Sequence, residues 1–288
     1  MHDIFFFTDI HGMYDLYRAI MNWCQEQDPE AMIIYGGDAC DRGHDGYKIM
    51  KELLDNPYVV YLMGNHEDMF CKAAREIKEK FGFQNPERNK VKKVLKHTMV
   101  FDWHYAAIQD SIANGGLSTL VDWVMDGMPM DLIERVERLP RTFSFGKCDF
   151  CHAAGLYETF KKGADAEYDG TKMDEYIADS LIWSRSSLNV GWAPERIAVF
   201  GHTPIPYLCE DIGVKWPEDE DVTPILYKRN TIPTETGGKL AMDTGAPFLG
   251  ITYVLNVLTM KAQGFKDTDI ENKEINKHDI EKINVIQF

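Results

Sequence analysis

Short apolar runs, each ending in small and polar residues, punctuate this chain. Ile4–Phe7 is the first, and it stops at Thr8-Asp9-Ile10-His11-Gly12. Met32–Tyr35 is the second, closed by Gly36-Gly37-Asp38, and residues 58–63 are the third, closed by Gly64-Asn65-His66. Runs of this length between glycines and polar residues predict buried strands. Between them Leu16, Ile20, Trp23 and Cys24 recur at helical spacing, and Ile49, Leu53 and Leu54 predict a second helix. Alternation of this kind predicts an α/β fold whose parallel or mixed sheet is covered by helices.

From about residue 67 to 138 the periodicity becomes helical, with a break at Asn114-Gly115-Gly116. Residues 82–140 read as a mostly helical insertion within a single domain spanning 1–288, not as a domain of their own. Strand patterns return at 143–145, Cys148–Cys151, Ile197–Phe200, 240–242 and 251–258. Residues 204–238 hold five prolines and the acidic run 218–221, which predicts a long surface loop. From about Lys266 the chain is polar and reads as a frayed helical tail.

Charge narrows the partners. The chain has 288 residues and a formal net charge of -15. Such a surface argues against nucleic acid or an anionic membrane as partner, because phosphate contacts need Lys and Arg. A phosphate substrate remains compatible, since bound dications reverse the field locally. The start shows no basic region followed by an apolar stretch, and no segment is long enough to span a bilayer. A cytoplasmic protein with reduced thiols is therefore expected of the six cysteines.

Five polar motifs each follow a strand-like run: Asp9-Ile10-His11-Gly12, Gly37-Asp38-Ala39-Cys40-Asp41-Arg42-Gly43, Gly64-Asn65-His66-Glu67, His152, and Gly201-His202-Thr203. Ligands of open α/β sheets sit beyond the carboxyl ends of strands, so five such ends can converge. Asp9 and His11 are two apart and, if extended, point the same way. With Asp38, Asn65, His152 and His202 they make six oxygen and imidazole donors, more than one tetrahedral zinc needs. Two ions sharing a carboxylate fit that number, about 3.5–4 Å apart, clamping an in-line displacement. Singly, each motif is more simply a turn or a hydrogen-bonded loop. Together, and in this order, they leave that reading little room.

The set resembles the phosphoprotein phosphatase family of calcineurin-like metallophosphoesterases, whose motifs read GDxHG, GDxxDRG, GNHE, H and GH. It is most similar to the small bacterial and phage serine/threonine phosphatases. The resemblance runs from about Phe5 to Gly245 and takes in Asp243-Thr244-Gly245-Ala246. Thr8 departs from the pattern, standing where that family has glycine. The resemblance implies a sandwich of mixed sheets flanked by helices. It implies that Asp9, His11 and Asp38 hold one divalent ion, while Asp38, Asn65, His152 and His202 hold the other. Manganese follows from family habit, and iron or zinc also suit the donors. By the same resemblance a metal-bridging hydroxide attacks phosphorus, His66 protonates the leaving oxygen with Asp41 orienting it, and Arg42 binds the phosphate. Arg185, in Trp183-Ser184-Arg185, matches a second phosphate-binding arginine. The substrate implied is a phosphorylated protein or a small phosphoester. Symmetrical dinucleoside polyphosphate hydrolysis is the alternative, though those enzymes carry GNHD where this chain has Asn65-His66-Glu67. An inactive metal-binding scaffold would have lost a ligand or the general acid, and neither is missing.

Other features read as structure. Cys148 and Cys151 are three apart on a strand and so face opposite sides, which suits core cysteines better than a zinc or redox pair. His44, His97 and His104 lack partners at ligand spacing. Phe101, Trp103, Tyr105 and Trp123 read as insertion core.

Overall fold

The computed structural model describes residues 2–99, 103–185, 191–211, 225–228, 238–269, 274–280 and 284–287. Strands β1 (Ile4–Phe7), β2 (Met32–Tyr35) and β3 (Val59–Tyr61) pair in parallel. A second sheet is built from β4 (Thr142–Phe145), β5 (Cys148–Cys151), β6 (Ile197–Phe200), β7 (Ile225–Lys228) and β8 (Gly238–Ala241). The chain then returns to the first sheet as β9 (Ile251–Asn256), β10 (Lys261–Asp269) and β11 (Glu274–Ile280), and ends beside β7 as β12 (Asn284–Gln287). The orders are β11-β10-β9-β1-β2-β3 and β12-β7-β8-β6-β5-β4, six strands in each sheet, and both sheets are mixed.

Alternation along each strand decides what packs where. Ile4 and Phe6 of β1 meet Phe150, Val199 and Leu240 of the second sheet in one buried cluster, with the Phe6 and Phe150 rings 5.4 Å apart. Phe5 and Phe7 face the other way, onto α1 (Tyr14–Gln27) and α2 (Gly46–Asp55). The outer face of the second sheet, with Cys151, Ala198 and Phe200, is covered by α8 (Tyr157–Asp169) and α9 (Glu175–Trp183) through Phe160 and Leu181. The result is two sheets face to face between helical layers. Strands buried on both faces read as continuous apolar runs, which is why β1 and β2 were visible in the sequence. Cys148 lies in the layer between the sheets and Cys151 in the outer layer, as their spacing required.

The segment between β3 and β4 is helical: α3 (Asn65–Lys80), α4 (Arg88–His97), α5 (Ala106–Ala113), α6 (Leu117–Met125) and α7 (Met130–Glu137). Their apolar stripes, Trp123 included, merge into the core beneath the first sheet. Phe101 and the side chain of Trp103 lie outside the described residues.

Two sequence expectations are corrected. Residues 204–238 are not one loop: α10 (Ile205–Asp211) and β7 occupy parts of it, while the acidic run 218–221 lies outside the described residues. The polar stretch after Lys266 is not helical. β10 and β11 form an antiparallel hairpin with a register shift between Asp267 and Asp269. An edge hairpin needs few apolar residues, and Phe265, edge-on to Trp23 at 5.8 Å, is its buried anchor. Among the described residues no helix is long and apolar enough to cross a membrane.

Candidate metal-binding site

The loops at the carboxyl ends of β1, β2, β3, β5 and β6 meet over the seam between the two sheets. Each carries one of the five motifs. The loop after β1 is not extended, so the condition under which Asp9 and His11 would point the same way is not met. Its amides instead follow the loop after β2: Asp9 N, His11 N and Gly12 N donate to the carbonyls of Gly37, Asp38 and Ala39 at 3.1, 3.0 and 2.9 Å. Asp9, His11, Asp38, Asp41, Arg42 and His202 all have left-handed φ, between 47° and 69°. Side chains rarely accept that conformation, and its concentration here marks a site rather than ordinary turns.

Asp38 is the hub. Its Oδ2 lies 3.4 Å from His152 Nε2, 3.6 Å from His11 Nε2 and 3.9 Å from His66 Nε2. Asn65 Oδ1 stands 3.0 Å from His152 Nε2 and 2.8 Å from His202 Nδ1. Asp9 is turned slightly aside, where its carboxylate accepts from His202 N at 3.1 Å and from the Thr8 hydroxyl at 2.6 Å. Thr8 thus braces Asp9 in the place where glycine was expected. Two donor groups stand out by geometry: His11, Asp38 and His66, and Asp38, His152 and His202, each with ligand atoms within 4.8 Å of one another.

Backbone carbonyls set the tautomers. A carbonyl only accepts, so His11 Nδ1 donates to Cys40 O at 2.9 Å and His152 Nδ1 to Gly36 O at 2.8 Å. In the neutral rings both Nε2 lone pairs then face Asp38, as metal-ligating imidazoles do. His202 Nε2 is buried with no hydrogen-bond partner among the described residues.

Charge is unbalanced in the same way. Burial, then the nearby Asp243 and Asp38, raises the Asp9 carboxyl well above its usual range. Burial likewise lifts Asp243 to about 6. Asp38 goes the other way: burial opposes ionisation, but His152 and His66 hold its carboxyl well below the ordinary value. Burial would depress His152, yet the Asp38 and Asp9 carboxylates carry it up to about 10. Burial and the His152 charge push His202 well down, and the Arg185 cation adds to this. Buried carboxylates crowded around converging lone pairs are an environment that cations relieve. The donors are oxygen and imidazole, which suits divalent manganese, iron or zinc.

A sequence profile of the calcineurin-like phosphoesterases matches residues 2–233. The chain belongs to the calcineurin-like phosphoesterase family. No curated protein matches it significantly. Among solved structures it is similar to a protein provisionally called a diadenosine tetraphosphatase, at 13% identity and TM-score 0.47, covering 96% of this chain and 93% of that one. It is also similar to a cold-active protein-tyrosine phosphatase of Shewanella, at 14% identity and TM-score 0.45, covering 96% and 80%. A serine/threonine protein phosphatase of Saccharomyces cerevisiae gives 11% identity and TM-score 0.43, covering 98% and 81%. At such identities the likeness carries no information about substrate.

The other residues that the sequence motifs single out are His66, Asp41, Arg42 and Arg185. His66 Nδ1 is 2.9 Å from Asp41 Oδ2, and the Asp41 carboxylate is fully buried. Burial disfavours the His66 cation, but Asp38 and Asp41 together raise it above the ordinary imidazole value. Arg42 reaches inward, with Nη1 2.6 Å from His11 Nε2 and Nη2 3.2 Å from His66 Nε2. Arg185 is exposed, two residues past the end of α9, and its charge acts on His202.

Several neighbours of the site escaped the sequence reading. Phe248, 69% exposed on the short helix α11 (Ala246–Leu249), lies under the Arg42 guanidinium at 5.4 Å. Trp183 stands edge-on to His202 at 6.1 Å. Glu67, quoted only as the end of a motif, braces the loops after β2 and β3. Lys239, on β8, is almost fully buried and donates to Ala154 O at 3.2 Å and Gly155 O at 2.8 Å, tying down the loop behind His152. No local pattern distinguishes such a lysine from a surface one.

Burial lowers the Lys239 amine from 10.5 to about 8. The unfolded chain therefore holds the extra proton between those values, and stability must rise with pH across that window. The wild type should gain stability relative to Lys239→Met from about pH 8 upward. Urea midpoints of both proteins across the window test this, and a constant difference would show that the amine is not buried as described.

Proposed function

We propose that this chain is a metal-dependent phosphatase of phosphomonoesters, with phosphoserine and phosphothreonine proteins as the substrate class. The observation that carries the reading is the convergence on Asp38 of two donor groups with a His66–Asp41 pair and the Arg42 guanidinium. Asp9, His11 and Asp38 would hold one cation, and Asp38, Asn65, His152 and His202 the other. His66 falls within the first geometric group, but its Nδ1 is committed to Asp41, which leaves Nε2 facing the cavity beside Arg42. That suits a proton donor better than a ligand. Bound divalent cations, manganese foremost, would supply Lewis acidity and water activation near neutral pH.

The chain's own residues do the rest. Arg42 offers a guanidinium fork to phosphate oxygens, and Arg185 can approach from the opposite, exposed side. His66, oriented by Asp41, holds a proton at Nε2 for the leaving oxygen. Buried walls exclude bulk water and strengthen each of these interactions.

Phe248 favours a second reading, symmetrical hydrolysis of dinucleoside polyphosphates, because an exposed ring beside a phosphate-binding arginine can stack a base. A substrate panel with manganese-loaded protein decides. We expect hydrolysis of para-nitrophenyl phosphate and of phosphopeptides, with close to two ions per chain by elemental analysis. A kcat/KM for diadenosine tetraphosphate at least about tenfold above every phosphopeptide, a gap of roughly 1.4 kcal/mol, would favour the second reading. Full activity at one ion per chain would sink the two-cation assignment.

A further inference from the structure

Beyond α3, whose first turn carries Asn65 and His66, the helical segment between β3 and β4 also meets the reactive groups at the junction of α5 and α6. The turn between α5 and α6, Asn114-Gly115-Gly116, lies directly against the loop Asp41-Arg42-Gly43. Three hydrogen bonds join three consecutive loop residues to this turn and to the first turn of α6. Asp41 N donates to Thr119 Oγ1 at 3.1 Å. Arg42 N donates to Gly115 O at 3.1 Å. The Ser118 hydroxyl donates to Gly43 O at 2.9 Å.

The approach is tighter than side chains ordinarily make. A Cβ on Gly115, which has φ +96°, would sit 3.0 Å from Arg42 N and 3.1 Å from its Cα. A Cβ on Gly116 would sit 3.1 Å from Asp41 Oδ1 and collide with Ser111 Oγ. The two glycines that break the helical pattern are therefore the contact surface itself.

What they press against is strained. Asp41 and Arg42 have φ of 69° and 62°, conformations that persist only when the surroundings over-determine them. These two residues aim the carboxylate at His66 and the guanidinium at His11 and His66. If the loop relaxed toward ordinary φ, both side chains would swing away. A misplacement of about 1 Å at a reacting group can cost 10²-fold in rate.

We propose that the α5–α6 turn is a clamp on the Asp41-Arg42 loop, with Thr119 and Ser118 as positioning residues for the general acid and the phosphate-binding arginine. The inference rests on the phosphatase reading of the site. It gives the helical insertion a share in turnover without any contact with substrate.

Thr119→Val removes the acceptor and keeps the shape, while Thr119→Ser restores a hydroxyl. On alkyl phosphomonoesters, whose leaving oxygen needs a proton, Thr119→Val should lose about tenfold in kcat, close to 1.4 kcal/mol. The loss should be smaller on para-nitrophenyl phosphate, and Thr119→Ser should recover most of it. Amide hydrogen exchange over 39–46 should quicken in Thr119→Val and return in Thr119→Ser. If Thr119→Val does not fold, Ser118→Ala, at a half-buried hydroxyl, should show the same pattern at two- to threefold, about 0.5 kcal/mol. Wild-type kcat and wild-type exchange in the folded variant overturn the clamp. So does an equal loss on both substrate types that serine fails to rescue, since that is plain structural damage. If the wild type hydrolyses no phosphoester, the phosphatase reading fails instead, and the exchange comparison alone judges the clamp.

Discussion

Replacing His66 with asparagine should lower kcat by about 10²–10⁴-fold, the range spanned by a well-placed general acid. The structure shows why so much should hang on one ring. Asp41 fixes its orientation at 2.9 Å, and the carboxylate is buried where no solvent can substitute for the contact. An alkoxide leaves poorly without a proton, whereas para-nitrophenolate leaves readily, so the deficit should shrink sharply on para-nitrophenyl phosphate. Asparagine keeps a polar side chain of similar reach, and the variant should retain its ions. Steady-state kinetics on one alkyl and one aryl phosphate, with metal analysis of the same preparations, make the comparison. Equal losses on both substrates would argue for another role of His66, and loss of an ion would place it among the metal ligands.

The second large effect should fall on stability. Glu67 is fully buried, and its two oxygens accept from Asp38 N at 2.7 Å, Ala39 N at 2.8 Å, Gly64 N at 3.0 Å and the Tyr61 hydroxyl at 2.8 Å. One side chain thus satisfies the loop after β2, the loop after β3 and the first turn of α3. Each buried donor left without a partner costs about 1–3 kcal/mol. Glu67→Ala should accordingly lose roughly 4 kcal/mol or more, allowing for some water entering the gap. Glu67→Gln, which keeps one acceptor oxygen, should fall between. Because Asp38 rides on the same loop, both variants should also bind manganese more weakly. Urea denaturation with and without metal measures both effects, and a loss below about 1 kcal/mol for alanine would mean that the loops hold their shape unaided.

How much of this could be read from the sequence follows from what kind of signal each element carries. β1, β2, β5 and β6 are buried on both faces, so composition alone marked them to the residue. The five motifs lay at strand ends because sharp turns and polar side chains have their own local signature. α8 and α9 were missed, since each buries only two residues, Phe160 and Gly163 in α8 and Leu181 and Ile182 in α9, too few to set a helical period. β10 and β11 were missed because an edge hairpin draws on backbone pairing, which leaves little trace in side-chain type. Within the site, ligand types were legible but conformations were not. Left-handed φ at Asp9 and His11 comes from pairing with the loop after β2, a contact no spacing rule contains. Glu67, Lys239 and Thr119 act through hydrogen bonds that reach residues far along the chain, and no local pattern gives them those roles.

The left-handed loops also bear on how this protein could be engineered. Among the described residues, six of the ten non-glycine residues with positive φ belong to the site. Each such residue costs on the order of 1 kcal/mol or more, and glycine would relieve it. A library sorted only for resistance to heat or protease would therefore enrich glycine at positions 9, 11, 38, 41, 42 and 202. Every one of those exchanges would delete a proposed metal donor, the carboxylate beside His66 or the arginine. In these loops a screen for durability and a screen for turnover would return opposite sequences, so a programme seeking a hardier variant should hold those positions fixed and mutate the exposed faces of α1, α4 and α8 instead.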